Sequence, residues 1–225
     1  MTQSELPVLT KKDFESDQDV RWCPGCGDYS ILAQTQKTMP DFGVAKEKIV
    51  FISGIGCSGR LPYYMNTFGF HTIHGRAATI ATGLKGARPD LMVWVITGDG
   101  DALSIGGNHL IHAMRRNVDM KMVMFNNRIY GLTKGQASPT TLGGVVTSTT
   151  PYGKLEDALR PLDLYLSLGV SFVASGMSSR PRDLAALITE AMDHPGFSIV
   201  HVQSPCTTYN DTYALLKGDE KNGIE

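Results

Sequence analysis

Short apolar runs recur along the chain, with amphipathic segments between them. The runs cover residues 49–52, 91–97, 120–125, 170–174 and 198–202. A continuous apolar run of this length predicts a strand that is buried on both faces, which is typical of parallel sheets. We therefore expect these runs to form a mostly parallel central sheet.

The segments between the runs have the composition and spacing of helices. They cover residues 28–39, 75–87, 162–168 and 182–192. A further segment follows the second run and places Leu103, Leu110, Ile111 and Met114 at roughly helical spacing. Alternating strands and helices predict an α/β fold with a mostly parallel sheet and helices on both faces.

The composition is that of a globular protein without a charged binding surface. The chain has 225 residues, a formal net charge of −1, 42% hydrophobic residues and 24 glycines. This balance argues against a nucleic-acid or membrane surface, and no apolar run is long enough to cross a membrane. The first residues are polar and lack a signal-peptide core, so we expect a cytoplasmic protein. We divide the chain into an N-terminal arm with little to bury (residues 1–20), one domain (21–212) and a C-terminal tail (213–225).

Two polar motifs follow neighbouring strands of the predicted sheet. Gly98-Asp99-Gly100-Asp101 ends the second run, and Asn127 follows the third run, 28 positions after Asp99. Glycines allow close approach of a phosphate, and a carboxylate with an amide oxygen suits Mg²⁺. The pair therefore predicts a magnesium–diphosphate site at the carboxyl edge of the sheet. The alternative is a tight strand–helix turn with incidental acids.

Four cysteines are placed where they can converge. Cys23 and Cys26 form a CxxC turn, while Cys57 and Cys206 each follow a predicted strand on the same sheet edge as Asp99. Four thiolates suit a tetrahedral Zn²⁺ or a [4Fe–4S] cluster equally well by ligand count. Simpler alternatives are a structural zinc clip at the CxxC turn and inert buried thiols at the other two positions.

The motifs together resemble a known family. GDG followed by NN resembles the thiamine diphosphate signature of transketolases and decarboxylases. The ordered set CPGCG, GIGCSG, HGRA, GDGD with NN, and PC followed by TYND is similar to the β subunits of 2-oxoacid:ferredoxin oxidoreductases, over residues 20–212. The resemblance implies the thiamine diphosphate-binding fold and a [4Fe–4S] cluster held by Cys23, Cys26, Cys57 and Cys206.

The same resemblance implies roles for individual residues. Asp99 and Asn127 would bind Mg²⁺ through their side chains, and Ile129 through its carbonyl. The residues implied to contact the cofactor are Ile55, Gly56, Cys57, Ser58, His74, Gly98, Gly100, Asp101, Gly131 and Leu132.

Two further side chains are candidates for catalysis. The resemblance implies that His74 acts at the reacting centre, although its own context favours a satisfied core histidine. Lys134 lies in a small, polar loop and is a candidate partner for a substrate carboxylate, with a solvated lysine as the alternative. His109 and His112 are spaced like metal ligands, but we interpret them as packing residues.

A residue type is missing from the predicted site. Thiamine enzymes use a glutamate at the cofactor's pyrimidine, and none of the seven glutamates follows a strand or a glycine-rich turn. We therefore expect half a cofactor site, completed by an α (or fused α/γ) subunit, with a dimer of αβ units as the assembly.

The implied activity is the coenzyme A-dependent oxidative decarboxylation of a 2-oxoacid, 2-oxoglutarate before pyruvate, with electrons passing through the cluster to ferredoxin. Two other classes stay open. One is a non-oxidative thiamine diphosphate decarboxylase or transferase with a structural Cys₄ zinc site, and the other is an electron-transfer module that binds no thiamine. The chain also ends several dozen residues earlier than is usual for these β subunits.

Overall fold

A six-stranded parallel sheet forms the centre of the computed structural model, which describes residues 8–217. The strands are β1 Ile49–Ser53, β2 Phe68–His71, β3 Met92–Gly98, β4 Lys121–Asn126, β5 Phe172–Met177 and β6 Ser198–Gln203. Their order is β2-β1-β3-β4-β6-β5, and every neighbouring pair is parallel. All carboxyl ends therefore meet at one edge of the sheet.

Helices cover both faces of this sheet. They are α1 Asp28–Thr38, α2 Ala77–Ala87, α3 Gly107–Arg115, α4 Pro161–Ser167, α5 Pro181–Asp193 and α6 Tyr213–Lys217. Helices α1 and α5 pack on one face, and α2, α3 and α4 on the other. The predicted α/β class with helices on both faces is confirmed. Within residues 8–217, no helix has both the length and the apolar character that crossing a membrane requires.

Alternation along the central strands produces two cores. Phe51 and Trp94 face α1 and α5, and their rings stack 5.9 Å apart. Ile52 and Val95, the next residue of each strand, face α2 and α3. Because successive side chains of a strand point to opposite faces, a sheet buried on both sides requires the unbroken apolar runs seen in the sequence.

One strand was not predicted from the sequence. Strand β2 reads Phe-Gly-Phe-His, and all four residues are exposed at the edge of the sheet. A short edge strand that contains glycine lacks both the continuous apolar run and the alternating pattern that identify strands.

The expectation that residues 1–20 have little to bury is wrong at one position. Lys11–Phe14 forms a 3₁₀ turn, and Phe14 is fully buried in the core beneath α1. The Asn66 amide donates to the Phe14 carbonyl at 2.9 Å and fixes this segment beside the sheet. A single aromatic residue within a polar stretch gives no periodic signal, which is why the sequence pattern missed it. At the other end, α6 lies in the predicted tail, and residues 1–7 and 218–225 are outside the described part.

Candidate functional site

A cavity opens at the carboxyl edge, where β1, β3 and β4 end. It is lined by every residue that the sequence predicts to contact the thiamine cofactor or its magnesium ion. Four residues that the sequence analysis did not single out also line it: Asp28, Phe125, Tyr130 and Thr133. The predicted convergence of these distant segments at one place is therefore observed.

Asp99 is the buried acid of this cavity. Its Oδ2 accepts hydrogen bonds from Ser138 Oγ and Thr140 Oγ1, each at 2.6 Å. Burial raises the pKa of Asp99, and the two hydroxyl donors oppose that shift. A buried carboxylate stays charged most readily beside a cation, so this environment suits a metal ligand.

Asn127 lines the same cavity as Asp99 and directly follows the next strand. Its Oδ1 accepts the Ile129 amide at 3.1 Å, and its carbonyl accepts a hydrogen bond from Asn210 Nδ2 at 2.9 Å. These contacts fold residues 127–129 into a tight turn that lines the cavity beside Asp99. A carboxylate, an amide oxygen and a main-chain carbonyl are the hard oxygen donors that Mg²⁺ prefers, and the donor set fits that ion.

Asp101 ties the turns of the cavity wall together. Its carboxylate accepts hydrogen bonds from the Ile55 amide at 3.0 Å, the Gly75 amide at 2.7 Å and Thr97 Oγ1 at 2.7 Å. His74 Nδ1 also lies 2.8 Å from Asp101 Oδ1, although off the direction of a hydrogen bond. The side chain of Asp101 thus braces three separate segments against each other.

Gly54 packs directly against this brace, and we expect Gly54→Ala to disrupt the site. An added Cβ would lie 1.8 Å from Asp101 Oδ2, so the carboxylate must move and release the turns that it holds. Overpacking of this kind costs about 1–3 kcal/mol of unfolding free energy. Thermal unfolding and thiamine diphosphate titration of the variant measure both effects.

The control is Gly83→Ala, an exposed glycine of α2 with nothing within 4 Å of an added Cβ. This change should stabilise the helix by about 0.5–1 kcal/mol and leave cofactor binding alone. Equal cofactor affinity in the two variants would contradict the role of Asp101 in holding the cavity wall together.

A polar atom without a partner points into the cavity. Ser58 is 3% exposed, and its hydroxyl has no hydrogen-bond partner within residues 8–217. It lies beside Gly98, where an added Cβ would stand 3.5 Å from Ser58 Oγ. At Gly100 an added Cβ would lie 2.2 Å from the Tyr130 ring. A buried donor without a partner, in a wall where Gly100 leaves no room for a side chain, fits an anionic group such as a diphosphate.

The four cysteines gather next to this cavity, and all are free thiols. An added Cβ on Gly131, a cavity residue, would stand 3.6 Å from Cys57 Sγ and 3.5 Å from Cys206 Sγ. The CxxC loop is bonded to the segment that carries Cys206, because Thr207 Oγ1 donates to the Pro24 carbonyl at 3.0 Å.

The electrostatics of the thiols show that they are neighbours. Burial is the main cause that raises the pKa of Cys57 to about 12, and nearby negative charge adds to it. That charge comes from Asp28, Cys206 and Cys23. The protonated form of the Cys57 thiol is therefore favoured unless a positively charged group lies beside it. Within residues 8–217, no group of three or more His, Cys, Asp or Glu side chains forms a ready site for a metal ion.

Asp28 is a site residue that the sequence analysis did not identify. It is the first residue of α1, it is 3% exposed, and Ser204 Oγ donates to its Oδ1 at 2.8 Å. Burial raises the pKa of Asp28 to about 6. It lines the cavity two residues after Cys26 and lies close to that cysteine. An acid directly after the CPGCG motif was the available signal.

Lys134 is not brought into the cavity. Its backbone adopts φ +77° in a turn closed by its amide and the Gly131 carbonyl at 3.0 Å, and its side chain is exposed. The same loop instead delivers Ser138 and Thr140 to Asp99.

Comparison with known proteins places this geometry in a family. Residues 54–202 match the family model described as thiamine pyrophosphate enzyme, C-terminal TPP binding domain. The 2-oxoglutarate oxidoreductase subunit KorB of Mycobacterium tuberculosis is 56% identical over 200 residues, which are 89% of this chain and 54% of that protein. The 2-oxoglutarate synthase subunit KorB of Archaeoglobus fulgidus is 47% identical over 191 residues, covering 84% of this chain and 70% of that protein.

A solved structure extends the likeness to the fold. The 2-oxoglutarate:ferredoxin oxidoreductase from Magnetococcus marinus, with 2-oxoglutarate, coenzyme A and succinyl-CoA bound, is 45% identical with a TM-score of 0.89. The superposition covers 92% of this chain and 72% of that chain. The chain spans between about half and two thirds of the length of the first curated relatives. The chain therefore belongs to the thiamine pyrophosphate enzymes and, within them, to the β subunits of the 2-oxoacid:ferredoxin oxidoreductases.

Proposed function

We propose that this chain is the subunit in which a 2-oxoacid is oxidised on thiamine diphosphate and its electrons leave through an iron–sulfur cluster. The observation that carries the proposal is the shared wall between the two parts of the site. Cys57 and Gly131 line the cavity, and Gly131 stands directly beside the thiols of Cys57 and Cys206. Because electron transfer requires short separations, this adjacency supports an oxidative reaction over a non-oxidative one.

The chain's own residues would anchor the diphosphate end of the cofactor. Asp99 and Asn127 would hold Mg²⁺ with the Ile129 carbonyl, and the buried, unpartnered Ser58 hydroxyl would donate to the diphosphate. When bound, thiamine diphosphate supplies the electron sink for the carbanion that decarboxylation leaves. Asp101 holds the turns that carry Ile55 and Gly75 in fixed positions, so that this wall of the cavity is already formed when the cofactor binds.

His74 is the proposed catalytic group of this subunit. Its side chain is 39% exposed and lines the cavity, and one ring nitrogen lies against Asp101. That contact leaves Nε2 to hold or transfer a proton at the reacting carbon or its carboxylate. Lys134 stays a candidate for a distal substrate carboxylate, and its exposure leaves it available to groups that approach from outside the cavity.

Cys23, Cys26, Cys57 and Cys206 would hold the [4Fe–4S] cluster. The cluster's positive irons compensate the thiolates that burial disfavours at Cys57. The two electrons of the oxidation would pass one at a time through the cluster to ferredoxin, while coenzyme A would take the acyl group. Carbon dioxide and a proton are the other products.

A partner subunit would complete the active site. No glutamate among residues 8–217 lines the cavity, so the group that activates the cofactor's pyrimidine comes from an α or fused α/γ subunit in a dimer of αβ units. We place the complex in the cytoplasm, where thiols stay reduced. We favour 2-oxoglutarate as substrate, before pyruvate, since the Magnetococcus marinus relative was solved with 2-oxoglutarate and succinyl-CoA.

The test is an anaerobic assay of the chain co-expressed with its partner. Reduction of ferredoxin on addition of 2-oxoglutarate should depend on coenzyme A, and the rates with pyruvate and branched 2-oxoacids rank the substrates. Release of free aldehyde without acceptor reduction would instead indicate the non-oxidative alternative with a structural zinc site.

A further inference from the structure

The loop of residues 133–141 has a role that its exposed lysine does not suggest. Ser138, Thr140 and Thr141 are each no more than 3% exposed. Three buried hydroxyls in one loop require partners, and two of them use the same atom, Asp99 Oδ2. We call Ser138 and Thr140 the hydroxyl clamp.

The hydroxyl clamp is itself held in place from the neighbouring strand. The Ser138 amide donates to Thr141 Oγ1 at 2.8 Å, and Thr141 Oγ1 donates to the Arg128 carbonyl at 2.6 Å. Thr140 Oγ1 gives its one hydrogen to Asp99, so its 3.0 Å approach to Asn126 Oδ1 at the end of β4 adds no second bond. Through Thr141 and the Arg128 carbonyl, the clamp is anchored to the same turn that carries Asn127.

The clamp controls which carboxylate oxygen is free. Hydroxyl-to-oxygen distances of 2.6 Å are those of charge-assisted bonds to an ionised carboxylate. Both side-chain donors within residues 8–217 use Oδ2, so Oδ1 is the carboxylate oxygen that the clamp does not hold. The direction of that oxygen is fixed by two bonds rather than by the rotamer of Asp99 alone.

We propose that the hydroxyl clamp positions Asp99 so that the site selects Mg²⁺ over Ca²⁺. Mg²⁺ demands near-ideal octahedral geometry at short distances, whereas Ca²⁺ accepts longer and less regular coordination. A carboxylate fixed in one orientation favours the strict geometry of Mg²⁺, whereas a freely rotating carboxylate can bind either ion. Ser138 and Thr140 are thus positioning residues, and this inference rests on the proposed thiamine diphosphate–magnesium site.

The test compares two cations in the purified complex of the chain and its partner. Thiamine diphosphate binding is titrated with Mg²⁺ and separately with Ca²⁺ for the wild type and the double variant S138A/T140V. Loss of contacts that orient a metal ligand weakens metal binding about 10–100-fold. We expect a shift of this size in the half-saturating Mg²⁺ concentration, with about a threefold shift or less for Ca²⁺.

Two further variants make the result specific. Thr140→Ser keeps the hydroxyl and should stay within about twofold of the wild type. Thr35→Val removes the hydroxyl of another fully buried threonine, which donates to the Ile31 carbonyl at 2.9 Å in α1, and should lower only the melting temperature. If the double variant does not fold, Ser138→Ala alone is tested for the same change in the Mg²⁺-to-Ca²⁺ ratio.

An unchanged ratio in the clamp variants, or an equal change in Thr35→Val, would overturn the inference. A wild-type complex that binds no thiamine diphosphate with any cation would overturn the proposed function itself, and that result is distinct from a loss of selectivity.

Discussion

Asp99→Asn should strongly weaken cofactor binding while leaving the iron content of the protein unchanged. The amide keeps the shape of the carboxylate, so Ser138 and Thr140 can still donate to its oxygen. Its nitrogen then faces the cavity, and an amide nitrogen does not bind Mg²⁺. Removing one partner of a buried charge contact costs about 2–5 kcal/mol, so affinity for thiamine diphosphate with Mg²⁺ should fall at least about 30-fold. Calorimetric titration measures the affinity.

Asp119→Asn is the matched control. Asp119 pairs with Lys85 at 2.9 Å and Lys121 at 3.0 Å at the opposite, amino end of β4. Its loss should reduce stability without changing cofactor affinity. Wild-type affinity in the Asp99 variant would remove Asp99 from the metal site.

Replacing any one of the four cysteines by serine should lose the cluster. A [4Fe–4S] cluster needs four thiolates. The CxxC loop carries two of the cysteines, and Cys57 and Cys206 each lie on a separate turn. We expect the iron and sulfide content of Cys57→Ser to fall below about a tenth of the wild-type content, and ferredoxin reduction to fall with it. Iron and sulfide analysis of anaerobically purified protein gives the content.

Thr207→Val controls for damage to the same corner. Thr207 bonds the CxxC loop at Pro24 but contributes no thiol, so this variant should retain its iron. Full iron content in Cys206→Ser or Cys23→Ser would show that those thiols are not ligands.

The sheet could be predicted from the sequence because most of its strands are buried on both faces. The interiors of β3 and β4, residues 92–96 and 122–125, are continuous apolar runs for that reason, and polar residues or glycine mark where the strands end. Strand β2 and Phe14 could not be predicted in this way. The first is stabilised by pairing with β1 at an exposed edge, and the second by a pocket that exists only after folding.

The same distinction separates the site residues that could be predicted from the sequence from those that could not. Residues that follow directly from strands, such as Asp99, Asn127 and Cys206, are placed by the parallel topology, and the sequence places them at one edge. Asp28 and the hydroxyl clamp were missed. Their contacts join segments that are far apart in sequence, such as Thr140 and Asp99, and depend on how a long loop folds back over the sheet.

Joint analysis of cofactor and iron in the anaerobically purified complex is the decisive measurement. We predict one thiamine diphosphate and about four irons and four sulfides per copy of this chain, with a visible absorption band that bleaches when 2-oxoacid and coenzyme A are added. Stoichiometric zinc in a colourless protein, with no change on adding substrate, would contradict this prediction.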